Sequence, residues 1–218
     1  MSYRVGIDSS GTPLPPKNKI FMKKRKCFLF VFDGYVDWEP ALAIATLNKF
    51  SDFSILSFSV NGSPVLSMGG LKIHPDTSLH EIRAGEVDLL ILPGGDRWLE
   101  GGNKEIIPLV KSVAERKANI AAICDATVFL ARLGYLNHMW HTSNGPHYLS
   151  EKVASYKGRQ YYEDLPAVVH DNLITANGAG MVEFAVEILK QQKVFDHATL
   201  EKVHDLYKSG GVNNRLYQ

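Results

Sequence analysis

Ile120-Ala121-Ala122-Ile123-Cys124-Asp125-Ala126-Thr127 is the stretch whose reading decides the fold. Four small or branched apolar side chains, Ile120 to Ile123, run into a cysteine. A helical pattern follows at once in Ala126, Phe129, Leu130 and Leu133, with Gly134 as a stop. This predicts a buried strand, a tight turn and a helix, with Cys124 on the turn. A thiol at a helix N-terminus faces unpaired backbone N–H groups and the positive end of the helix dipole. Both favour the thiolate, which is the nucleophilic form. The corner has the form of a nucleophile elbow. A small buried structural thiol fits the same residues, because unpaired cysteines are often buried.

Outward from the elbow the same alternation repeats. Strands are predicted at Lys26 to Phe32, Phe53 to Val60 and Val87 to Leu92, and a pair at Ala167 to Val169 and Leu173 to Thr175. Helices are predicted at Pro40 to Phe50, Lys104 to Lys117, Ala126 to Leu133, Val182 to Gln191 and Leu200 to Tyr207, with a brief one at Pro146 to Lys152. Pro64 to His74 reads as a hairpin excursion turned at Gly69-Gly70, and Met139 to Thr142 is ambiguous. Apolar strands alternating with helices imply an α/β fold with a mainly parallel sheet covered on both faces. Sites in such folds lie beyond the carboxyl ends of the strands. That rule gathers Asp33 to Glu39, Pro93 to Trp98, Cys124-Asp125 and Asn177 to Gly180 at one edge.

Composition narrows the function classes. The chain has 218 residues, 45% hydrophobic and 22% charged, with a formal net charge of +1. That suits one globular domain and offers no bulk electrostatic attraction for nucleic acid or membrane. The basic block Lys23 to Lys26 precedes an apolar run, Cys27 to Phe32, too short for a signal-peptide core or a membrane span. The two cysteines, far apart in sequence, give no disulfide framework, and a cytoplasmic location is expected. Residues 1–21 lack periodicity and hold Gly11, Pro13, Pro15 and Pro16. They are expected to be a disordered or vector-derived leader before a single domain over 22–218.

Five ordered pieces carry a resemblance: Phe32-Asp33-Gly34-Tyr35-Val36-Asp37-Trp38-Glu39-Pro40, Asp88-Leu89-Leu90-Ile91-Leu92-Pro93-Gly94-Gly95, Ala121-Ala122-Ile123-Cys124-Asp125-Ala126, His141-Thr142-Ser143-Asn144 and Ile174-Thr175-Ala176-Asn177-Gly178. Together they resemble the PfpI-type superfamily of class I glutamine amidotransferase-like proteins, which includes intracellular proteases and amidases, glyoxalases and a protein deglycase. The resemblance implies a flavodoxin-like three-layer α/β/α sandwich and a homodimer, for which Phe195, Leu200 and Leu206 offer apolar surface. It makes Cys124 the nucleophile, Glu39 the acid against the thiol and His141 the downstream histidine. It puts the oxyanion hole at the backbone N–H groups of Gly95 and Asp125. Gly94, Trp38, Trp98 and Asn177 are expected to line the substrate pocket.

Each role has a plainer counterpart. Glu39 at a helix start also suits a structural cap. If it faces Cys124, burial and like charge should keep it protonated and donating to sulfur. His141 also suits a hydrogen-bonded loop residue. His138-x-x-His141 with His147 lacks a matching Cys or Glu ligand set, so neither metal nor cofactor is expected. Where the superfamily's proteases carry a histidine directly after the nucleophile, this chain has Asp125. That removes the adjacent dyad and argues against peptidase activity of that type. Asp125 is free to cap the helix, raise the thiol pKa or assist water activation. The expected net result is a Cys124 thiol below the reference of about 8.5. The reading that follows is an enzyme acting on a small carbonyl or amide. The alternatives are a redox sensor in which Cys124 is oxidised, and a catalytically silent scaffold.

Overall fold

Arg25–Phe30 forms β1, and from Cys27 onward each of its side chains is buried. A strand buried on both faces belongs in the middle of a parallel sheet, and β1 pairs in parallel on both sides. The computed structural model describes residues 24–210. The leader expected over 1–21 lies outside the described residues.

In chain order β1 is followed by α1 (Trp38–Phe50), β2 (Phe53–Ser59), the hairpin β3 (Val65–Leu66) and β4 (Lys72–Ile73), and β5 (Thr77–Ser78). Then come β6 (Leu89–Leu92), α2 (Ile107–Glu115), β7 (Asn119–Ile123), α3 (Ala126–Arg132) and α4 (Tyr148–Lys152). β8 (Ala167–His170), β9 (Leu173–Ala176), α5 (Met181–Gln191) and α6 (His197–Ser209) complete the order. The main sheet has seven strands in the order β5-β2-β1-β6-β7-β9-β8, parallel except for β8, which runs antiparallel to β9.

The topology explains the layers. From β1 the chain crosses to β2 on one side, and from β6 it crosses to β7 on the other. Right-handed crossovers in opposite directions put α1 and α2 on opposite faces. α5 joins α1, α6 packs outside α5, and α2 and α3 cover β7. This is the flavodoxin-like α/β fold. The sheet order reverses between β1 and β6, so a crevice opens at their carboxyl ends.

The structure departs from the sequence expectations in several places, among them α2, which starts at Ile107 rather than Lys104. α1 starts at Trp38 rather than Pro40, and Asp37 leaves the helix uncapped and accepts the Gly69 N–H instead, at 2.9 Å. β5 is an edge strand of only two residues, too short for any periodicity to show. Met139 to Thr142 contributes one isolated bridge, His141 to Tyr162. α6 begins three residues early because Asp196 caps it, accepting from the Thr199 N–H.

Two apolar assignments are corrected. Trp98 is fully buried, with Phe30, Phe32 and Phe129 around it at centroid distances of 5.8, 5.3 and 4.7 Å. Its Nε1–H donates to the Pro93 carbonyl, so it is a core residue beneath the Pro93-Gly94-Gly95 loop and not a pocket wall. Leu200 is buried and Phe195 stacks on Phe50, so the apolar docking surface expected there is largely consumed internally. The large apolar side chains left exposed include Trp38, Leu66, Met68 and Leu71. The last three lie on the hairpin segment, which is tied to the β1–α1 loop by Gly34 N–H to Leu66 O and Met68 N–H to Tyr35 O. Among the described residues, no helix is long and apolar enough to cross a membrane.

Candidate active site

Cys124 occupies the corner between β7 and α3 with φ +58°. The left-handed region costs a non-glycine residue roughly 1–3 kcal/mol and persists only where the surroundings impose it. Here they do. The Cys124 N–H donates to Ala176 O on β9 at 2.9 Å. Its carbonyl accepts from the Thr127 N–H at 3.1 Å and from Thr127 Oγ1 at 2.6 Å. The expected elbow is therefore present, and its backbone is held from both sides.

One flank of the sulfur is Glu39, in the first turn of α1 and 2% exposed. Its Oε2 accepts the Gly94 N–H at 2.6 Å, and the carboxyl and the Cys124 side chain lie against the same Gly94 backbone. Two glycines make this approach possible. A Cβ on Gly94 would stand 2.8 Å from both Cys124 Cβ and Glu39 Oε2, and one on Gly178 would stand 3.0 Å from Sγ. A Cβ at Gly94 would force its neighbours apart and one at Gly178 would crowd the sulfur, so the loops after β6 and β9 close on the thiol from two directions.

The other flank was not foreseen. Asn144 Nδ2 donates to Cys124 Sγ at 3.3 Å and to Asp125 Oδ1 at 3.2 Å, while its Oδ1 accepts the Gly178 N–H at 2.9 Å. Tyr148, at the start of α4, donates its hydroxyl to the same Asp125 Oδ1 at 2.5 Å. The Asp125 side chain thus does not cap α3, and the residue is 8% exposed. Asn144 directly follows His141-Thr142-Ser143, so its place was visible in the sequence. Tyr148 gave no signal, because only the fold brings α4 to the elbow.

His141 is fully buried, and both its ring nitrogens are engaged. Nδ1 lies 2.6 Å from Met139 O and Nε2 lies 2.7 Å from Tyr156 OH. A carbonyl only accepts, so Nδ1 carries the proton and Nε2 accepts from the tyrosine. Burial pushes its pKa down, which keeps the ring neutral. The structure therefore holds His141 in a structural network and does not offer its ring to the thiol. Asn177 borders a polar cleft of about 360 Å³ beside Ser143, Asn144, Asp164 and Gly178. Its Oδ1 accepts the Ala179 N–H. Trp38 is exposed at the start of α1. No group of three or more His, Cys, Asp or Glu suited to a metal ion occurs among the described residues.

The electrostatics reverse one expectation. Burial pushes Glu39 up to about 7, against the Gly94 N–H and the thiol, with the Asp125 charge adding to the rise. Burial also pushes Cys124 up to about 12, reinforced by the Glu39 charge and then by Asp125. Asn144 and the Asp125 N–H pull the other way and are outweighed. The thiol below about 8.5 is thus not found. α3 has only seven residues, and two carboxylates stand where one short helix terminus was expected to dominate. The Asp125 N–H favours the charged form of the sulfur. Gly95, at φ +144°, follows Gly94 on the facing loop.

Comparison with known proteins is consistent across the chain. The DJ-1/PfpI family model matches residues 25–191. The chain is 42% identical over 195 residues to a Bacillus subtilis protein named uncharacterized protease YoaZ, covering 86% of this chain and 93% of that one. A thiJ/pfpI family crystal structure from Bacillus anthracis superposes with TM-score 0.78 at 38% identity, covering 87% and 92%. A DJ-1 superfamily protein from Agrobacterium tumefaciens gives the same TM-score at 33% identity, covering 85% and 99%. Relatives at greater distance include a glutathione-independent glyoxalase of Caenorhabditis elegans, 28% identical over 58% of this chain and 67% of its own length.

Proposed function

The chain belongs to the DJ-1/PfpI family, and we propose that it is a cysteine-dependent enzyme acting on a small carbonyl or amide through Cys124. The observation that carries this reading is a thiol on a left-handed corner, packed beside a buried carboxyl that burial pushes up to about 7. A general base works best with a pKa close to the working pH, and Glu39 at about 7 meets that condition. As Sγ bonds to the carbonyl carbon, its proton passes to Glu39. The carbonyl electron pair moves onto oxygen, where the N–H groups of Gly95 and Asp125 receive it.

From that adduct two outcomes share one intermediate. With an amide, Glu39 returns the proton to the departing nitrogen and an acyl thioester remains on Cys124. With methylglyoxal, the hemithioacetal loses a proton at the aldehyde carbon and gains one at the neighbouring carbon, which also gives a thioester. Water releases a carboxylic acid in both cases, lactate in the second. Lactate or ammonia release by wild type and by Cys124→Ser tests the reading. Equal release by both proteins would remove Cys124 from the chemistry.

A second reading rests on the same carboxyl. A protonated Glu39 is placed to donate to an oxygen on an oxidised sulfur, which would make Cys124 a peroxide sensor. Peroxide titration followed by intact mass tests it, with a stable two-oxygen adduct on Cys124 expected and random oxidation opposing it. Assembly as a homodimer in the cytoplasm belongs to the proposal. Superfamily members are commonly dimeric, and the exposed Trp38, Leu66, Met68 and Leu71 supply apolar surface. Sedimentation showing only monomer at micromolar concentration would remove the dimer.

A further inference from the structure

A thioester on Cys124 must be released by water, and at neutral pH that water needs a base. Glu39 is poorly placed for it. It is 2% exposed, its Oε2 is held by the Gly94 N–H, and the Gly94 backbone lies against both Glu39 and Cys124. Asp125 is hydrogen-bonded to Asn144, and Asn144 lines the cleft beyond the site. A single nitrogen, Asn144 Nδ2, donates to both Cys124 Sγ and Asp125 Oδ1. The sulfur and this carboxylate therefore face the same amide group. Tyr148 fixes the same oxygen from the other side. With Oδ1 held by two donors, the carboxylate has one orientation and Oδ2 is left as the atom to take a proton.

We propose that Asp125 is the general base for release of the acyl group from Cys124, oriented by Asn144 and Tyr148. The inference rests on the reading of Cys124 as nucleophile. Water oxygen bonds to the thioester carbon while one of its protons passes to Asp125. The tetrahedral intermediate then breaks its C–S bond and the electron pair returns to Sγ. The thiolate recovers the proton from Asp125, and the product leaves as a carboxylic acid. Asp125 is the catalytic residue here, and Asn144 and Tyr148 are positioning residues.

The surroundings fit a base that is available at neutral pH. Burial raises the Asp125 pKa from the usual aspartate value, and the Asp96 charge adds to that. The Tyr148 hydroxyl, the Lys152 charge and the Asn144 amide hold it back. Burial and the Asp125 charge push Tyr148 up, so its hydroxyl stays protonated and remains a donor. The release step should therefore weaken as pH falls through the raised aspartate range.

The test uses the full chain and p-nitrophenyl acetate as the acyl donor. Wild type is expected to release nitrophenolate continuously. Asp125→Asn should keep a burst of one nitrophenolate per chain, then slow by roughly 10²–10⁴-fold, with an acetyl group persisting on the Cys124 peptide. Asp125→Glu should recover part of the steady rate. Tyr148→Phe should keep the burst, slow the steady phase about tenfold and shift its acid limb. It carries the test should Asp125→Asn fail to fold. An Asp125→Asn steady rate equal to wild type, or loss of the burst in both variants, would overturn the role of Asp125 alone. A wild type that neither acetylates nor turns over would overturn the nucleophile assignment, and this proposal with it.

Discussion

Cys27 and Cys124 both carry thiols held well above the usual range, but for different reasons. Cys27 lies within β1 with no exposed surface, and burial alone pushes its pKa up. Among the described residues no charged neighbour offsets the burial, so it stays neutral and out of reach of reagents. Cys124 is raised by burial and then by its two carboxylate neighbours, while Asn144 and the Asp125 N–H favour its charge. One of those neighbours, Glu39, changes charge at about 7. The comparison teaches that a reactive thiol need not have a low pKa when free. It needs an acceptor for its proton and donors for its charge, and only the elbow supplies both. In the proposed mechanism Glu39 is the group that takes the Cys124 proton near neutral pH.

The strongest way to break this contrast is to remove each sulfur in turn. Cys124→Ser should lower turnover by at least about 10⁴-fold, in line with the loss of a nucleophile that acts as part of a unit. Cys27→Ala should leave turnover unchanged and cost about 1 kcal/mol of stability, through a small cavity in β1. Equal kinetic losses in the two variants would erase the distinction.

Glu39→Gln sharpens the comparison because it separates chemistry from stability. Turnover should fall roughly 10²–10⁴-fold with the base removed. Stability should move the other way. In the folded chain Glu39 titrates at about 7, against 4.5 for an ordinary glutamate, so the folded state binds this proton more tightly. Its stabilising contribution is complete below pH 4.5 and is lost as pH rises through about 7. The amide variant escapes that loss, so at pH 8 it should exceed wild type by roughly 3 kcal/mol. Urea unfolding of both proteins at pH 5 and pH 8 checks the sign.

Two smaller effects test the geometry around the pair. Gly94→Ala places a Cβ against Cys124 and Glu39. It should cost about 1–3 kcal/mol by overpacking and reduce turnover, visible in a melting curve and a rate assay. His141→Gln should destabilise by about 1 kcal/mol through its lost network, yet change Cys124 labelling by less than about threefold. A collapse in labelling would return His141 to the catalytic group.

The fold was legible because its evidence is local. The apolar runs at Leu89–Leu92 and Ile120–Ile123 announce central parallel strands; the elbow and the Gly94-Gly95 turn sit directly after such runs, and Glu39 lies one loop beyond β1. What failed depends on distance in space. Trp98 reads as a pocket wall until Phe30 and Phe129, from two other elements, enclose it. His141 reads as a base until Tyr156 takes its Nε2. The sequence points to a low thiol pKa because the helix terminus is written next to Cys124. The depth of burial is not, nor is the closeness of Glu39, eighty-five residues earlier. Asp125 was noticed as a departure, but its partner Tyr148 is joined to it only by folding.

The central claim is that Cys124 reacts by passing its proton to Glu39, and iodoacetamide labelling against pH, read by peptide mass spectrometry on the native protein, tests it most directly. Cys124 should label and Cys27 should not. The Cys124 rate should rise through an inflection near 7, where Glu39 titrates, and Glu39→Gln should abolish that inflection. Labelling of Cys27 at a comparable rate, or a Cys124 profile that is the same with and without Glu39, would contradict the account.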